Sequence, residues 1–474
     1  MRPRSLVELA TAVGGTLSNA PASGGEVRGV NIDSRSVRRG DLFVAIPGSR
    51  ADGHHFVGDA FERGAAGALV ARAPEPGPPA GPLIRVADTV AALGAMAAAE
   101  RQTITADVIG VTGSTGKTST KDLIESVLRT ARPTAASPAS FNNEVGLPLT
   151  LLWAPEGVEA IVCEMGARGS GHIRFLCAVA RPNVGVITNV GVAHMELFGS
   201  REAIADAKAE LVESLPPDGL AVVNADDPVA RGFRARTAAR TLTYGRSESA
   251  DVRAERVTLD DRARATFDLV TPDGTARVGL RVVGEHMVPN ALAAAAVGWS
   301  SGLSAGGIAE ALADARVSGG RMEVVEAADG VTVLNDAYNA NPTSAAAALE
   351  AAHHTAGGRR SVAVLGEMAE LGPIALEEHE LLGERLAGLG FDVLIAVGPW
   401  GKAIAAGAER AGLAADRAVV ADDVAAAVTA AEAVVHPGDV VLVKASRAVG
   451  LDRVADALVG MHGGPAEPIE DGHP

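Results

Sequence analysis

Short apolar runs recur along the chain, most of them followed by a stretch in which apolar positions repeat at helical spacing. Up to about residue 105, the runs DLFVAI (41–46), GALVAR (67–72) and PLIRVAD (82–88) predict strands. A Pro/Gly-rich linker, APEPGPPAGP (73–82), leads into the last of them. Ser5 and Glu8 have the spacing of a capping box for a helix that stops at Gly14-Gly15, and Asp88 is placed to cap a helix running to about Gln102. The middle region repeats strand and helix through DVIGVT (107–112), EAIVCEMG (159–166), VGVITNVG (184–191) and GLAVVNADD (219–227), the signature of a mostly parallel sheet. Then DVRAERVTL (251–259), ATFDLVT (265–271) and ARVGLRVVG (276–284) alternate as antiparallel strands do, and a helix over NALAAAAVGW (290–299) closes the region. From about residue 317 the alternation restarts with VTVLNDAY, SVAVLGEM, DVLIAVG, RAVVAD and DVVLVKAS.

The expected fold is therefore α/β in three domains: an N-terminal α/β domain (1–104), a central domain with a mostly parallel sheet plus a small antiparallel sheet (105–316), and a C-terminal Rossmann-like α/β domain (317–462). The tail, 463–474, lacks apolar periodicity and is expected to be disordered. A length of 474 residues is too much for one core, in keeping with this division. Of the chain 47% is hydrophobic but only 3% aromatic, so the core must be built from Ala, Gly and small aliphatics packed closely.

The formal charge of −16, with no basic cluster longer than a pair, argues against nucleic acid or an anionic membrane as partner and leaves an anionic small molecule open. Cys163 and Cys177 sit in apolar surroundings without metal-ligand spacing and read as reduced core thiols. Glu8 interrupts the apolar N-terminal run, which argues against a signal peptide. No run approaches the ~18 residues of a membrane span. The expectation is a soluble, cytoplasmic protein.

The chemistry begins at VIGVTGSTGKTST (108–120), an apolar strand running into a glycine-rich turn, a lysine and hydroxyls. Gly113 and Gly116 let backbone N–H groups of Ser114, Thr115 and Ser119 face an anion. Lys117 reaches terminal phosphates, Thr118 holds Mg²⁺, and the helix N-terminus adds its positive end. Val111 stands where the standard phosphate loop has its first glycine, so the match is G-x-x-G-K-T. A glycine turn with a surface lysine is the alternative. Glu164 ends a strand at the same sheet edge, where a carboxylate can meet a metal. His194 follows another strand and Lys208 lies on the next helix; from spacing alone both read as ordinary loop and surface residues. Asn290 at a helix start can cap it or bind a base or ribose, and Arg321 follows two glycines. Asp336, Tyr338, Asn339 and Asn341 form a polar turn past a strand, a ligand crevice or a plain Asx-turn.

Taken together and in order, TGSTGKTST, EMG, TNVGVAHMELFGSREAIADAKAEL, the Asn290 helix, GRMEV and NDAYNANPTS resemble the ATP-dependent Mur ligases of bacterial cell-wall synthesis, over nearly the whole chain. SFNNEVGLPLTLL and DAYNANPTSAAAAL most resemble the members that add D-alanyl-D-alanine (D-Ala-D-Ala) to UDP-N-acetylmuramoyl-tripeptide (UDP-MurNAc-tripeptide), and residues 33–65 resemble the UDP-binding domain that these members share with the preceding amino-acid-adding ligase. The D-N-P-R signature of the diaminoacid-adding sibling is not found. His286-Met287 stands where the family often has His-Asn.

The resemblance implies that ATP phosphorylates the tripeptide's terminal carboxylate and that the dipeptide amine then expels phosphate. It implies two Mg²⁺ ions, one held by Thr118 and Glu164, with His194 a ligand of the second and Lys208 carbamylated into an anionic donor. Asn290 and Asp336 would position the nucleotide and Arg321 would reach the transferring phosphoryl. Ser34 and Arg35 would meet the uridine diphosphate, and Asn142 and Asn143 the muramoyl-peptide. Tyr338, Asn339 and Asn341, with Lys444 to Arg447, are candidates for the dipeptide pocket. The resemblance further implies a monomer that closes about a hinge near 317–321. Competing readings are a diaminoacid-adding Mur ligase, a folylpolyglutamate synthetase, a phosphate-loop kinase, and a nucleotide-gated binding protein.

Overall fold

The computed structural model describes residues 1–20, 25–48, 51–74, 81–192 and 195–464. Part of the 73–82 linker, His194 and all but the first two positions of the expected tail lie outside the described residues.

Three large sheets follow one another along the chain, beside a two-stranded antiparallel pair, Arg4–Ser5 with Glu26–Val27. The first is five-stranded, in the order Thr16–Ser18, Leu83–Arg85, Gly67–Val70, Asp41–Val44, Gly29–Asn31. Its inner strands Asp41–Val44 and Gly67–Val70 are buried at every position, as the apolar runs require. The N-terminal helix spans Leu6–Ala12, and the capping box between Ser5 and Glu8 is present in full. Asp88 caps the helix Thr89–Arg101 through its carboxylate on the amides of Val90 and Ala91. That helix packs on Gly146–Leu152 and His172–Ala180 of the central domain. The Trp153 indole N–H crosses the same seam to the Val30 carbonyl at 2.8 Å. One apolar cluster therefore runs from Leu6 and Leu42 through Leu149 and Ile161 to Leu211, so the first domain shares its core with one face of the central sheet.

The central sheet has nine strands. Asp107–Thr112 lies between Ala160–Glu164 and Val184–Ile187, parallel to both. These strands are almost wholly buried because helices cover both faces, which is why they read as unbroken apolar runs. The three antiparallel strands continue the same sheet: Val252–Leu259 joins Arg240–Gly245 through the pairs Tyr244–Val252 and Gly245–Arg253. The helix Met287–Ser300 is buried along nearly its whole length, and its alanines let it lie close against Lys117–Arg129. The third sheet is six-stranded, parallel except for its edge strand Glu323–Glu326. No helix among the described residues is long and apolar enough to cross a membrane.

Seven strands were not expected from the sequence: Arg4–Ser5, Thr16–Ser18, Glu26–Val27, Gly29–Asn31, Thr134–Ala136, Arg240–Gly245 and Glu323–Glu326. All but Arg240–Gly245 are sheet edges, short and paired along one side only, so they lack an apolar run.

The small-residue core has a measurable consequence where Ala375–Gly388 crosses Gly401–Arg410. A Cβ on Gly407 would lie 2.0 Å from the Glu380 carbonyl oxygen, backbone that cannot yield. Gly407→Ala should lower stability by about 1–3 kcal/mol in urea denaturation, the usual cost of overpacking. Gly388→Ala, whose Cβ meets nothing within 4 Å, should be close to neutral.

Candidate active site

The strand Asp107–Thr112 delivers the chain to its carboxyl end, where the fold leaves toward Ala160–Glu164 on one side and returns to Val184–Ile187 on the other. Such reversals leave a crevice above the strand ends. The phosphate loop fills that crevice, and two contacts dictate its glycines. A Cβ on Gly113 (φ +154°) would lie 1.8 Å from Thr188 Oγ1, and one on Gly116 (φ +79°) 2.5 Å from Asn290 Oδ1. The loop is propped from the neighbouring strand's exit. The Thr115 amide donates to Asn189 Oδ1 at 3.0 Å, Asn189 Nδ2 donates to Thr115 Oγ1 at 2.7 Å, and Thr188 Oγ1 donates to the Thr115 carbonyl at 2.6 Å. Helix Lys117–Arg129 starts directly after Gly116 without a side-chain cap, leaving its first amides available to an anion. Lys117 folds back over the loop and donates to the carbonyls of Gly113 (2.7 Å) and Ser114 (3.2 Å). Burial holds its ammonium below the ordinary range, with Glu164 opposing the shift and Arg321 adding to it.

Beside the loop, the Thr118 hydroxyl donates to Glu164 Oε2 at 2.6 Å, and Asn142 Nδ2 donates to Glu164 Oε1 at 2.8 Å. The Glu164 amide is held by Ser137 Oγ at 3.1 Å. Among the described residues no three His, Cys, Asp or Glu side chains cluster as a metal cage. A single hydroxyl and a single carboxylate suit Mg²⁺, which takes one or two protein oxygens and fills its octahedron with phosphates and water. Lys208, on Arg201–Glu213, is 2% exposed and has no hydrogen-bond or ion-pair partner among the described residues. Burial first, and repulsion from Lys117 second, push its amine down to about 7.

The C-terminal domain closes the crevice from the other side. Lys444, at the end of Val440–Lys444, is buried and pairs with Asp336 Oδ2 at 2.5 Å, also donating to the Asn339 carbonyl at 2.8 Å. Asp336 Oδ1 accepts from the Met322 amide at 3.1 Å, which ties the polar turn to the segment bearing Arg321. Arg321 Nε is buried without a hydrogen-bond partner. The Tyr338 hydroxyl bonds Ser140 of the central domain. Between the domains lies a cleft of about 440 Å³.

Most of the sequence candidates meet there. Ser114 through Ser119, Asn142, Asn143, Glu164, Asn290, Arg321, Asp336, Tyr338, Asn339 and Asn341 all line the cleft. Gly113 and Lys208 are not among the lining residues. Ser34 and Arg35 lie in the first domain, away from the cleft lining, and Arg35 is engaged with Asp33 at 2.7 Å. Asn290 does not cap its helix; it accepts from Thr120 Oγ1 at 3.3 Å and packs against Gly116. Asn341 is the N-cap of Pro342–Ala356, and Asn143 Oδ1 holds the amides of Val145 and Gly146, so both amides have local structural work. His194, expected as a metal ligand, lies outside the described residues. Sequence reading missed Asn189 and Ser137, whose polar side chains at strand exits were the available signal.

Three family models match the chain: Mur ligase family, catalytic domain, over residues 26–101; Mur ligase middle domain over 111–298; and Mur ligase, glutamate ligase domain, over 320–447. A UDP-N-acetylmuramoyl-tripeptide--D-alanyl-D-alanine ligase from Mycobacterium tuberculosis is 44% identical, covering 96% of this chain and 97% of its own. Among solved structures, MurF from Acinetobacter baumannii superimposes with a TM-score of 0.85 at 31% identity, covering 97% and 99% of the two chains. MurF ligase from Thermotoga maritima in complex with ADP gives 0.77 at 32% identity, covering 91% and 97%.

The seating of the loop predicts that Gly116→Ala, which drives a methyl into Asn290, weakens ADP binding by about tenfold or more, the loss of one charge-assisted phosphate contact. Isothermal titration calorimetry on the folded variant measures it; unchanged affinity would show that the loop tolerates the displacement.

Proposed function

The chain belongs to the Mur ligase family, and from that membership we propose that it is the ATP-dependent ligase joining D-alanyl-D-alanine to UDP-N-acetylmuramoyl-tripeptide, forming the UDP-linked pentapeptide precursor of peptidoglycan with release of ADP and phosphate. The observation that carries this reading is the cleft itself. A phosphate loop with its Thr118–Glu164 pair faces an unpartnered arginine and an Asp–Lys pair from a separate domain, so a nucleotide and an acyl acceptor can meet out of bulk water.

A carboxylate resists amide formation because oxide is its leaving group; transfer of the γ-phosphoryl to it makes phosphate the leaving group instead. Lys117 is held beside the loop, where its ammonium and the amides at the start of Lys117–Arg129 offset charge on the β- and γ-phosphates. Thr118 and Glu164 would hold a Mg²⁺, which would supply charge neutralisation to the phosphates. Arg321, its donors uncommitted, would stabilise the phosphoryl in transfer. Asn290 and Asp336 would position the nucleotide. Ser34 and Arg35 would meet the uridine diphosphate, and Asn142 with Asn143 the peptide that carries the reacting carboxylate.

Lys208 is proposed to carry a carbamate, formed when its neutral amine adds to CO₂ and releases a proton to solvent, and with His194 would hold a second Mg²⁺. What supports it is a buried lysine without a counter-charge, whose amine burial brings down to about 7 so that a substantial share is neutral near pH 7. An ammonium there would repel the metal, whereas a carbamate oxygen binds it.

Phosphate release from ATP and Mg²⁺ should depend on both UDP-N-acetylmuramoyl-tripeptide and D-Ala-D-Ala, with a product mass equal to the pentapeptide. Turnover indifferent to the dipeptide would overturn the assignment. Lys208→Ala should lose roughly 10²–10³-fold in kcat, as removal of one charged stabilising group does. Short carboxylic acids that occupy the vacated space should restore part of it, and failure of rescue at retained fold would remove the carbamate from the mechanism.

A further inference from the structure

We propose that Tyr338 is a positioning residue that holds the Arg321 guanidinium over the cleft by stacking, rather than a ligand of the incoming dipeptide. The inference rests on the ligase reading above for what Arg321 does, but its geometry stands apart from that reading.

The Arg321 guanidinium carbon lies 4.0 Å from the centroid of the Tyr338 ring. Its Nε is buried without a partner, and no hydrogen bond or ion pair reaches its guanidinium from any described residue. The neighbouring carboxylates are committed elsewhere. Glu323 accepts from the Gly320 amide at 3.0 Å, and Asp336 is shared between Lys444 and the Met322 amide. An arginine can be held in place in two ways. A carboxylate fork fixes it by occupying its donors, whereas an aromatic face fixes the plane and leaves every N–H free. Here the second arrangement is present, and it is the one that keeps the donors available for phosphoryl oxygens.

Tyr338 is itself fixed at both ends. Its amide donates to the Gly320 carbonyl at 3.1 Å, so the backbones of ring and arginine are joined directly. Its hydroxyl, the side chain's one polar atom, is bonded to Ser140 of the central domain. Arg447 adds a second guanidinium 4.9 Å from the same ring centroid. A ring that already meets two guanidinium groups and whose hydroxyl has one hydrogen bond committed to Ser140 has little left to offer a dipeptide. Because Ser140 and Tyr338 sit on opposite sides of the cleft, the ring is fully pinned only when the two domains are together.

The test is a kinetic cycle with Tyr338→Leu, Tyr338→Phe, Arg321→Lys and the Arg321→Lys/Tyr338→Leu double variant. Tyr338→Leu should lower kcat about 10- to 100-fold, the scale of a misplaced catalytic group, with KM for D-Ala-D-Ala unchanged within about twofold. Tyr338→Phe, which keeps the face and loses the hydroxyl, should recover most of that loss. The double variant should be no slower than Arg321→Lys alone, because the ring acts through the arginine. A rise in KM for the dipeptide at preserved kcat, or losses that multiply, overturns the proposal. Affinity for ADP with aluminium fluoride, a mimic of the transferring phosphoryl, measured on the same proteins, reads the coupling without turnover. Should the unmodified chain fail to respond to its two substrates, the ligase reading falls, and this binding cycle still decides between coupled and independent residues. Ser140→Ala, which leaves Tyr338 in place, guards against a folding defect and should give a milder loss of the same kind.

Discussion

The arrangement of the whole site depends on how closely the phosphate loop is pressed against its neighbours. Gly113 meets Thr188 and Gly116 meets Asn290 at separations that exclude any side chain, and Asn189 reads both the amide and the hydroxyl of Thr115. That contact sets the start of Lys117–Arg129, which in turn sets where Thr118 meets Glu164. The missing first glycine of the usual motif is explained by the same packing: Val111 is still inside the buried strand, and the turn begins only after Thr112.

The central strands were legible because helices cover both faces of the sheet, and the same holds for the parallel strands of the C-terminal domain. Edge strands such as Thr16–Ser18 and Glu323–Glu326 were not, since pairing along one side needs no apolar run. Arg240–Gly245 begins with Arg240 and Thr241 and shows its burial only in its last residues. Site residues fell along a similar line. Those in a glycine-rich loop or at a strand's carboxyl end, such as Thr118, Glu164 and Asp336, carried a local signal. Lys208 did not: on a helix a lysine reads as solvated, and its burial follows from the packing of that helix against central-domain elements such as His172–Ala180 and Asp107–Thr112, distant in the chain. Asn143 and Asn341 show the opposite ambiguity: both line the cleft, and their side-chain amides also hold a turn and a helix cap that the sequence did not separate from ligand contacts.

Lys444 and Asp336 form a buried ion pair at the floor of the C-terminal side of the cleft. Such a pair gains little net stability over apolar residues, but removing one partner strands the other. Its value lies in geometry: Lys444 also holds the Asn339 carbonyl, and Asp336 holds the Met322 amide, so one pair shapes the turn carrying Tyr338 and the segment carrying Arg321.

Asp122 lies on the helix that begins at the phosphate loop, and its carboxylate accepts both the amide and the hydroxyl of Ser318 at 2.8 and 2.9 Å. Ser318 opens the glycine pair that precedes Arg321. The joint between the two domains is thus leashed to the very helix whose first turn cradles the anion. The C-terminal domain is placed from the nucleotide's own seat, and its reach is measured from that seat rather than from the far edge of the sheet.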